Sequence, residues 1–262
     1  MSLFDTHAHL DDEQLRGSLD DVMHRAIQAG VSGIVTVGTA ASSSQACIEI
    51  AHRFEIVHAA VGIHPNYCAE AASTEWDQIV DLTASDRVVA LGETGLDRYW
   101  DHAPFALQQD YFDRHLRLSQ RTGLPFIVHM RESLPDIMMM LREARGRGPL
   151  SGVMHSYTGD LDSAVECLDL GLFVSFAGMV TFKKSAELRE VAAQIPGDRI
   201  LIETDAPYLS PEPLRGQRPN EPSRVQHTAE CLAQVRNVTV QQFARQTHDN
   251  ACRIFARIAH RD

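Results

Sequence analysis

Several protein classes are excluded by what this 262-residue chain lacks. Its five cysteines (Cys47, Cys68, Cys167, Cys231 and Cys252) are scattered, odd in number and contain no CxxC pair. That pattern argues against a disulfide framework or a cysteine zinc site, and it fits reduced thiols in a cytoplasmic protein. No apolar run approaches the roughly 20 residues of a membrane span, so no membrane association is expected. No charged-then-apolar leader precedes Asp5. Basic charge is also scarce: 24 Lys and Arg stand against 35 Asp and Glu, for a net charge of −11. A protein that grips long duplex nucleic acid carries a basic face, because each neutralised phosphate releases counterions. The nearest basic features here are Lys183-Lys184 and Arg215 with Arg218, so a phosphate-bearing substrate would have to be held locally. Also missing are a GxSxG elbow, an HExxH helix, a P-loop and the PCxxC of zinc deaminases.

With 44% hydrophobic and 23% charged residues, the composition suits a globular protein with a sizeable core. Short apolar β-type runs alternate with longer amphipathic segments from end to end. The expected strands are Leu3–Leu10, Gly33–Gly38, Ile56–Gly62, Val88–Glu93, Phe126–His129, Gly152–His155, Leu172–Phe176 and Ile200–Thr204. Helical patterns lie between them, at Leu19–Ala29, Ser44–His52, Trp76–Leu82, Phe105–Arg121, Leu134–Glu143, Leu161–Leu170 and Ala186–Ala193. In the fourth, Leu107/Tyr111 and Phe112/Leu116 recur at i,i+4, the spacing of one buried helical face. A Pro-rich loop, Pro207 to Pro222, then leads to helices over Val225–Val235 and Val240–Ile258. Eight strand–helix pairs are the count of an α/β (β/α)8 TIM barrel, here with an extra C-terminal helix. No linker divides the chain, so one domain over residues 1–262 is expected. An open doubly wound sheet fits less well, because no glycine-rich phosphate loop follows the first strand.

On this map the polar residues fall into a pattern. In a strand, side chains two residues apart share a face, so His7 and His9 of Asp5-Thr6-His7-Ala8-His9 project together. His64 follows strand 3, Glu93 ends strand 4, His129 ends strand 5, His155 ends strand 6 and Asp205 follows strand 8. Barrel active sites lie at the carboxyl ends of the strands. Singly, each residue has a plainer reading: a histidine satisfied by a carbonyl, a turn-capping Glu93, or a helix cap in Glu203-Thr204-Asp205. Together, four histidines (His7, His9, His129, His155) and two carboxylates (Glu93, Asp205) exceed what one tetrahedral zinc needs. They suit two divalent metal ions, with Glu93 placed to bridge them and Asp205 able to ligate and to accept the proton of an attacking water. Asp97 reads as an orienting acid or a plain loop acid. His24, His52, His58, His102, His115, His227, His248 and His260 are assigned to the surface.

These residues sit in motifs that resemble the TatD family of metal-dependent hydrolases, in the amidohydrolase superfamily. The motifs are DTHAHLD (Asp5–Asp11), VGIHP (Val61–Pro65), GETGLD (Gly92–Asp97), PFIVHMR (Pro125–Arg131), HSYTG (His155–Gly159), SFAGMVTFK (Ser175–Lys183), ETDAPYLSP (Glu203–Pro211), NEP (Asn220–Pro222) and THDNACRIF (Thr247–Phe255). The resemblance runs essentially end to end and implies the barrel fold. It implies His7, His9, Glu93 and Asp205 around one metal, and a shared Glu93 with His129 and His155 around the second. The ions would be Mg, Zn, Mn or Ni. The implied activity is a deoxyribonuclease, a 3′–5′ exonuclease on short or single-stranded DNA ends. The alternative in the same site is ester hydrolysis, including D-aminoacyl-tRNA deacylation. A non-enzymatic, metal-stabilised binding module is the third reading, against which stands a site too open for structural zinc. His64, Arg131 and Lys183 are the expected substrate-phosphate partners, and no obligate protein partner is evident. Three departures stand out: Ser156-Tyr157 in place of Cys-Phe, expected to alter the pocket wall; Pro219 inserted after Arg218; and Arg98 before Tyr99.

Overall fold

The computed structural model describes residues 2–258; His260 lies outside them. Eight strands form one sheet in sequential order, every neighbouring pair parallel. They are β1 (Leu3–Ala8), β2 (Val31–Val37), β3 (Val57–Val61), β4 (Val88–Asp97), β5 (Phe126–Arg131), β6 (Gly152–Met154), β7 (Leu172–Phe176) and β8 (Ile200–Ile202). The helices are α1 (Glu13–Arg16), α2 (Leu19–Gln28), α3 (Ala41–Arg53), α4 (Glu75–Leu82), α5 (Phe105–Thr122), α6 (Leu134–Arg147), α7 (Leu161–Asp169), α8 (Ala186–Gln194), α9 (Val225–Val235) and α10 (Val240–Ile254). The ring closes where β1 meets the segment after β8. Ala8 bridges Ala206, His9 N–H donates to the Ala206 carbonyl (2.7 Å), and Asp205 N–H donates to the His7 carbonyl (2.9 Å). This is the (β/α)8 barrel expected from the sequence.

Strand burial explains why the apolar runs are continuous rather than alternating. One side of the sheet packs inward: Phe4, Val35, Ala60, Val89, Ile127, Val153, Phe173 and Leu201, one from each strand, share a cluster that Ile254 and Phe255 of the C-terminal segment join. The other side packs against the helices, through residues such as Leu3, Ile34, Val88, Phe126 and Leu172 with Leu116, Leu141 and Leu232. Strands covered on both faces need apolar side chains at both parities.

Two details differ from the sequence reading, and both aim the site. Between Asp5 and Ala8, β1 advances three residues while β2 advances two, from Ile34 to Thr36. Between Leu91 and Thr94, β4 advances three while β5 advances two, from Phe126 to Val128. Each is a β-bulge, which inserts one residue and re-aims the side chains beyond it. Phe4 can therefore pack in the barrel interior while His7, at the opposite parity, also points into the barrel mouth. Strand β4 continues past Glu93 to Asp97 rather than stopping there. This extension of β4 is glycine-dependent: Gly95 has φ +138°, and a Cβ there would lie 2.1 Å from the His129 carbonyl oxygen. Beyond the strands, α1 was not foreseen, and α10 ends at Ile254 rather than Ile258.

Candidate active site

The carboxyl ends of the strands bring six sequence-picked residues together. Glu93, buried at the end of the β4 bulge, is the centre. Its Oε2 lies 3.4 Å from His7 Nε2 and 3.6 Å from His9 Nε2. Its Oε1 lies 2.8 Å from His129 Nδ1 and 3.0 Å from His155 Nε2. Asp205 Oδ1 stands 3.8 Å from His7 Nε2 and 3.7 Å from His9 Nε2, which are themselves 3.3 Å apart. The same donor atoms form overlapping groups compact enough to hold a metal ion: His7–Glu93–His155, His7–His9–Asp205 and His64–Glu93–His129.

Hydrogen bonds on the far side of each ring decide what the inner nitrogen can do. His9 donates its Nδ1–H to the Val37 carbonyl (2.9 Å), which leaves the Nε2 lone pair facing the site. His155 places Nδ1 against the Glu203 carboxylate (3.1 Å), leaving Nε2 toward Glu93. His129 places Nε2 against Asp97 (3.0 Å), leaving Nδ1 toward Glu93. An outer carboxylate or carbonyl that fixes the tautomer is the usual partner of a metal-bound imidazole. His64 is built the other way. Its Nδ1 accepts the Asn66 N–H (3.1 Å), so a neutral ring carries its proton on Nε2, the atom 3.9 Å from Glu93 Oε1. That nitrogen is a hydrogen-bond donor rather than a ligand. His7 has no partner at Nδ1 among the described residues and is held by stacking on His155, 4.0 Å between ring centres.

The electrostatics follow from this crowding. Burial alone would raise the Glu93 pKa, but the charges and hydrogen bonds of His155, His7 and His129 outweigh it and hold the carboxyl well below its usual range. Burial would lower His129 and His155, yet the carboxylates on both sides raise both. Carboxylates on both sides of each ring favour positive charge between the ring and Glu93, the neutralising role that a divalent cation would serve. The donor set of imidazoles and carboxylates thus fits a divalent metal. Burial pushes His64 down to about 3, with His129 adding to the shift, and raises Asp205.

Sequence reasoning missed the layer behind the candidate ligands. Glu203 is fully buried; besides His155 it accepts from Ser156 N–H (2.5 Å) and Ser175 Oγ–H (2.6 Å). Its signal was a second carboxylate two residues before Asp205 at the same strand end. Asp5 is buried too and pairs with Thr204 N–H (2.8 Å) and Oγ1–H (2.5 Å), which ties β1 to the chain carrying Asp205. Burial pushes Asp5 up to about 8. Asp97 is the orienting acid of its two readings. Two histidines assigned to the surface are instead in the interior. His115 lies under the loop after β3, accepting Ile63 N–H at Nε2 (3.1 Å) and donating from Nδ1 to the Tyr111 carbonyl (2.7 Å), while His58 stacks parallel to Phe4. Tyr157 is likewise a core residue, with its hydroxyl on the Asp160 carbonyl, so Ser156-Tyr157 alters packing rather than an exposed wall. Arg131 and Lys183 are exposed, neither with an ion pair among the described residues. Arg218 is exposed as well, and of the NEP triplet Asn220 and Glu221 are structural: Asn220 Nδ2 donates to the Thr204 and Tyr208 carbonyls, and Glu221 pairs with Arg25 (2.7 Å).

Comparison with known proteins identifies the family. The family described as TatD related DNase matches residues 4–256. An uncharacterized metal-dependent hydrolase, YabD of Bacillus subtilis, is 39% identical over 253 residues, covering 97% of this chain and 98% of its own. The 3′-5′ ssDNA/RNA exonuclease TatD of Citrobacter koseri is 33% identical over 257 residues, covering 97% and 98%. Among solved structures, the TatD homolog YjjV of Escherichia coli K12 superposes with a TM-score of 0.90 at 29% identity, covering 97% and 98%. No helix among the described residues is long and apolar enough to cross a membrane. The chain belongs to the TatD family of metal-dependent hydrolases.

Proposed function

We propose that this hydrolase is a TatD-type deoxyribonuclease, a 3′–5′ exonuclease that cleaves phosphodiester bonds at short or single-stranded DNA ends. The observation that carries the reading is the split in what stands behind the rings around Glu93: His9, His129 and His155 each have an acceptor there, so the neutral ring turns a lone pair inward, whereas His64 has a donor there and its neutral ring turns an N–H inward. His7, His9, Glu93 and Asp205 would hold one divalent ion, and Glu93, His129 and His155 a second. Such ions, when bound, polarise a phosphoryl oxygen and bring the pKa of water from about 15.7 towards about 7.

The chain's own groups supply the rest. His64 Nε2–H donates to a phosphoryl oxygen and keeps its proton, because burial makes the neutral ring the stable one. Asp205, raised by burial and about one-seventh exposed (14%), takes the proton of the attacking water as the P–O bond to the departing nucleotide breaks. Arg131 and Lys183 hold flanking phosphates at the mouth. The named activity of the Citrobacter koseri relative points to the same substrate class. The test uses metal-replete protein on end-labelled single-stranded DNA and on D-aminoacyl-tRNA, with Glu93→Ala beside it. Expected are stepwise shortening from the 3′ end, loss on chelation, recovery on metal return, and about two ions per chain. Deacylation without any DNA turnover refutes the nuclease, and full activity in Glu93→Ala refutes the two-metal arrangement.

A further inference from the structure

Aromatic side chains are distributed unevenly on this molecule. Among the described residues, the exposed Phe, Tyr and Trp side chains are Tyr67, Tyr99, Trp100 and Tyr208. Tyr67 follows β3, Tyr99 and Trp100 follow β4, and Tyr208 follows β8, so all four stand at the carboxyl end of the barrel, where the ligands are. They adjoin the site: the Tyr67 ring centre is 5.7 Å from His64, and that of Tyr208 is 6.2 Å from His9. Tyr99 and Trp100 meet edge to face at 4.8 Å. Arg131 lays its guanidinium over Tyr99, 3.9 Å from the ring centre, and sits 5.6 Å from Trp100. His102 lies nearly parallel to Trp100, at 5.4 Å and 19°.

We infer that Tyr99, Trp100 and Arg131 form a stacking platform for unpaired bases of a single nucleic-acid strand whose phosphate is at the metal-ligand cluster; this rests on the nuclease reading above. Exposed rings cost free energy in water and are normally scattered. Gathered around one site, with a cation stacked among them that has no carboxylate partner among the described residues, they match a ligand carrying both flat rings and negative charge. Unpaired nucleotides have both, and aromatic stacking tolerates any base because each presents a π-face. A duplex hides its base faces, so the platform selects strand ends that are already open. An apolar protein partner would leave Arg131 desolvated without a counter-charge. In a chain of net charge −11, stacking also supplies affinity that an extended basic groove does not.

The platform is tied to the chemistry by one carboxylate. Asp97 Oδ1 accepts the N–H groups of Tyr99 (2.9 Å) and Trp100 (3.0 Å), while Oδ2 accepts from His129 (3.0 Å). Both aromatic residues are therefore set in register with a proposed ligand. The Arg98 that precedes them does not compete for phosphate: it is held by Asp136 (2.8 Å) and stacks on Phe105.

The test measures binding of metal-loaded protein to a fluorescent, hydrolysis-resistant phosphorothioate oligodeoxythymidylate and to the same strand built from abasic residues. Wild type should prefer the base-bearing strand by about tenfold or more. Tyr99→Ala and Trp100→Ala should each weaken that strand about tenfold while leaving the abasic strand within about twofold, and Trp100→Phe should retain most of the affinity. Equal losses on both strands, no preference in wild type, or no binding at all would overturn the platform. Cleavage of ordinary DNA is read in parallel. Cleavage without base preference defeats the platform and leaves the nuclease standing; base preference without cleavage supports the platform and defeats the nuclease.

Discussion

Replacing Asp97 with asparagine exchanges one oxygen for an NH2 group and reverses one proton. In the native protein Oδ1 accepts from Tyr99 and Trp100, and Oδ2 accepts from His129 Nε2 (3.0 Å) and Asn66 Nδ2 (3.1 Å). Burial would raise the Asp97 pKa, but the His129, Trp100 and Asn66 hydrogen bonds outweigh it and keep the carboxyl well below its usual range. An asparagine keeping its carbonyl on the loop turns an NH2 toward two donors; flipped, it turns the NH2 toward two others. Asn66 can adapt by flipping its amide, whose Oδ1 has no other partner among the described residues, but His129 can do so only by moving its proton to Nδ1, the nitrogen that faces Glu93 Oε1 at 2.8 Å. The inward lone pair is then gone. Loss of such an outer partner costs about 10–100-fold in metal affinity, or about 1.4–2.8 kcal/mol. The assay is calorimetric titration of chelator-stripped protein with Zn or Mn. Asp97→Ala provides the discriminating comparison, because it removes more contacts yet imposes no tautomer. Asp97→Asn should therefore bind metal more weakly than Asp97→Ala. The reverse order, or an unchanged affinity in Asp97→Asn, would refute the tautomer argument.

Two further outcomes follow from buried geometry. Burial lowers His115 from 6.5 to about 4, so the unfolded chain binds its proton more readily between those values. The neutral ring's contribution is whole above about pH 6.5 and is lost as pH falls through about 4, by up to about 3 kcal/mol. The non-titrating His115→Gln variant should thus close its melting-temperature gap to wild type on acidification; a gap independent of pH would show that His115 is not the titrating group. Gly95→Ala should lose about 4 kcal/mol or fail to fold, since its Cβ would overlap the His129 carbonyl at 2.1 Å in a conformation that disfavours side chains. Thermal denaturation within a few degrees of wild type would contradict that close approach.

How much of this was legible without coordinates can be judged residue by residue. The strands were visible because two-sided burial makes them continuous apolar runs, and the helices because one face repeats at i,i+4. His7, His9, His129 and His155 were visible because imidazoles at the ends of β1, β5 and β6 converge in a closed barrel. The bulges were not visible: nothing in Asp5-Thr6-His7 or Leu91-Gly92-Glu93-Thr94 announces that β1 and β4 gain a residue on their neighbours. Nor was the burial of His115, whose partners Ile63 and Tyr111 are chosen by the docking of α5 against the loop after β3.

By itself the sequence determined the barrel, and which imidazoles and carboxylates gather at the carboxyl ends of its strands. These depend on hydrophobic period and position along each strand, both local properties of the chain. Only the tertiary structure decided which nitrogen of His9, His129 and His155 faces inward, because that is set by a partner elsewhere in the chain: Val37 for His9, Asp97 for His129 and Glu203 for His155. A ring has two nitrogens and its sequence neighbours seldom choose between them. Closure of the sheet does for three of these rings, by bringing an acceptor behind each; only His64 takes its donor from its own loop, two residues on.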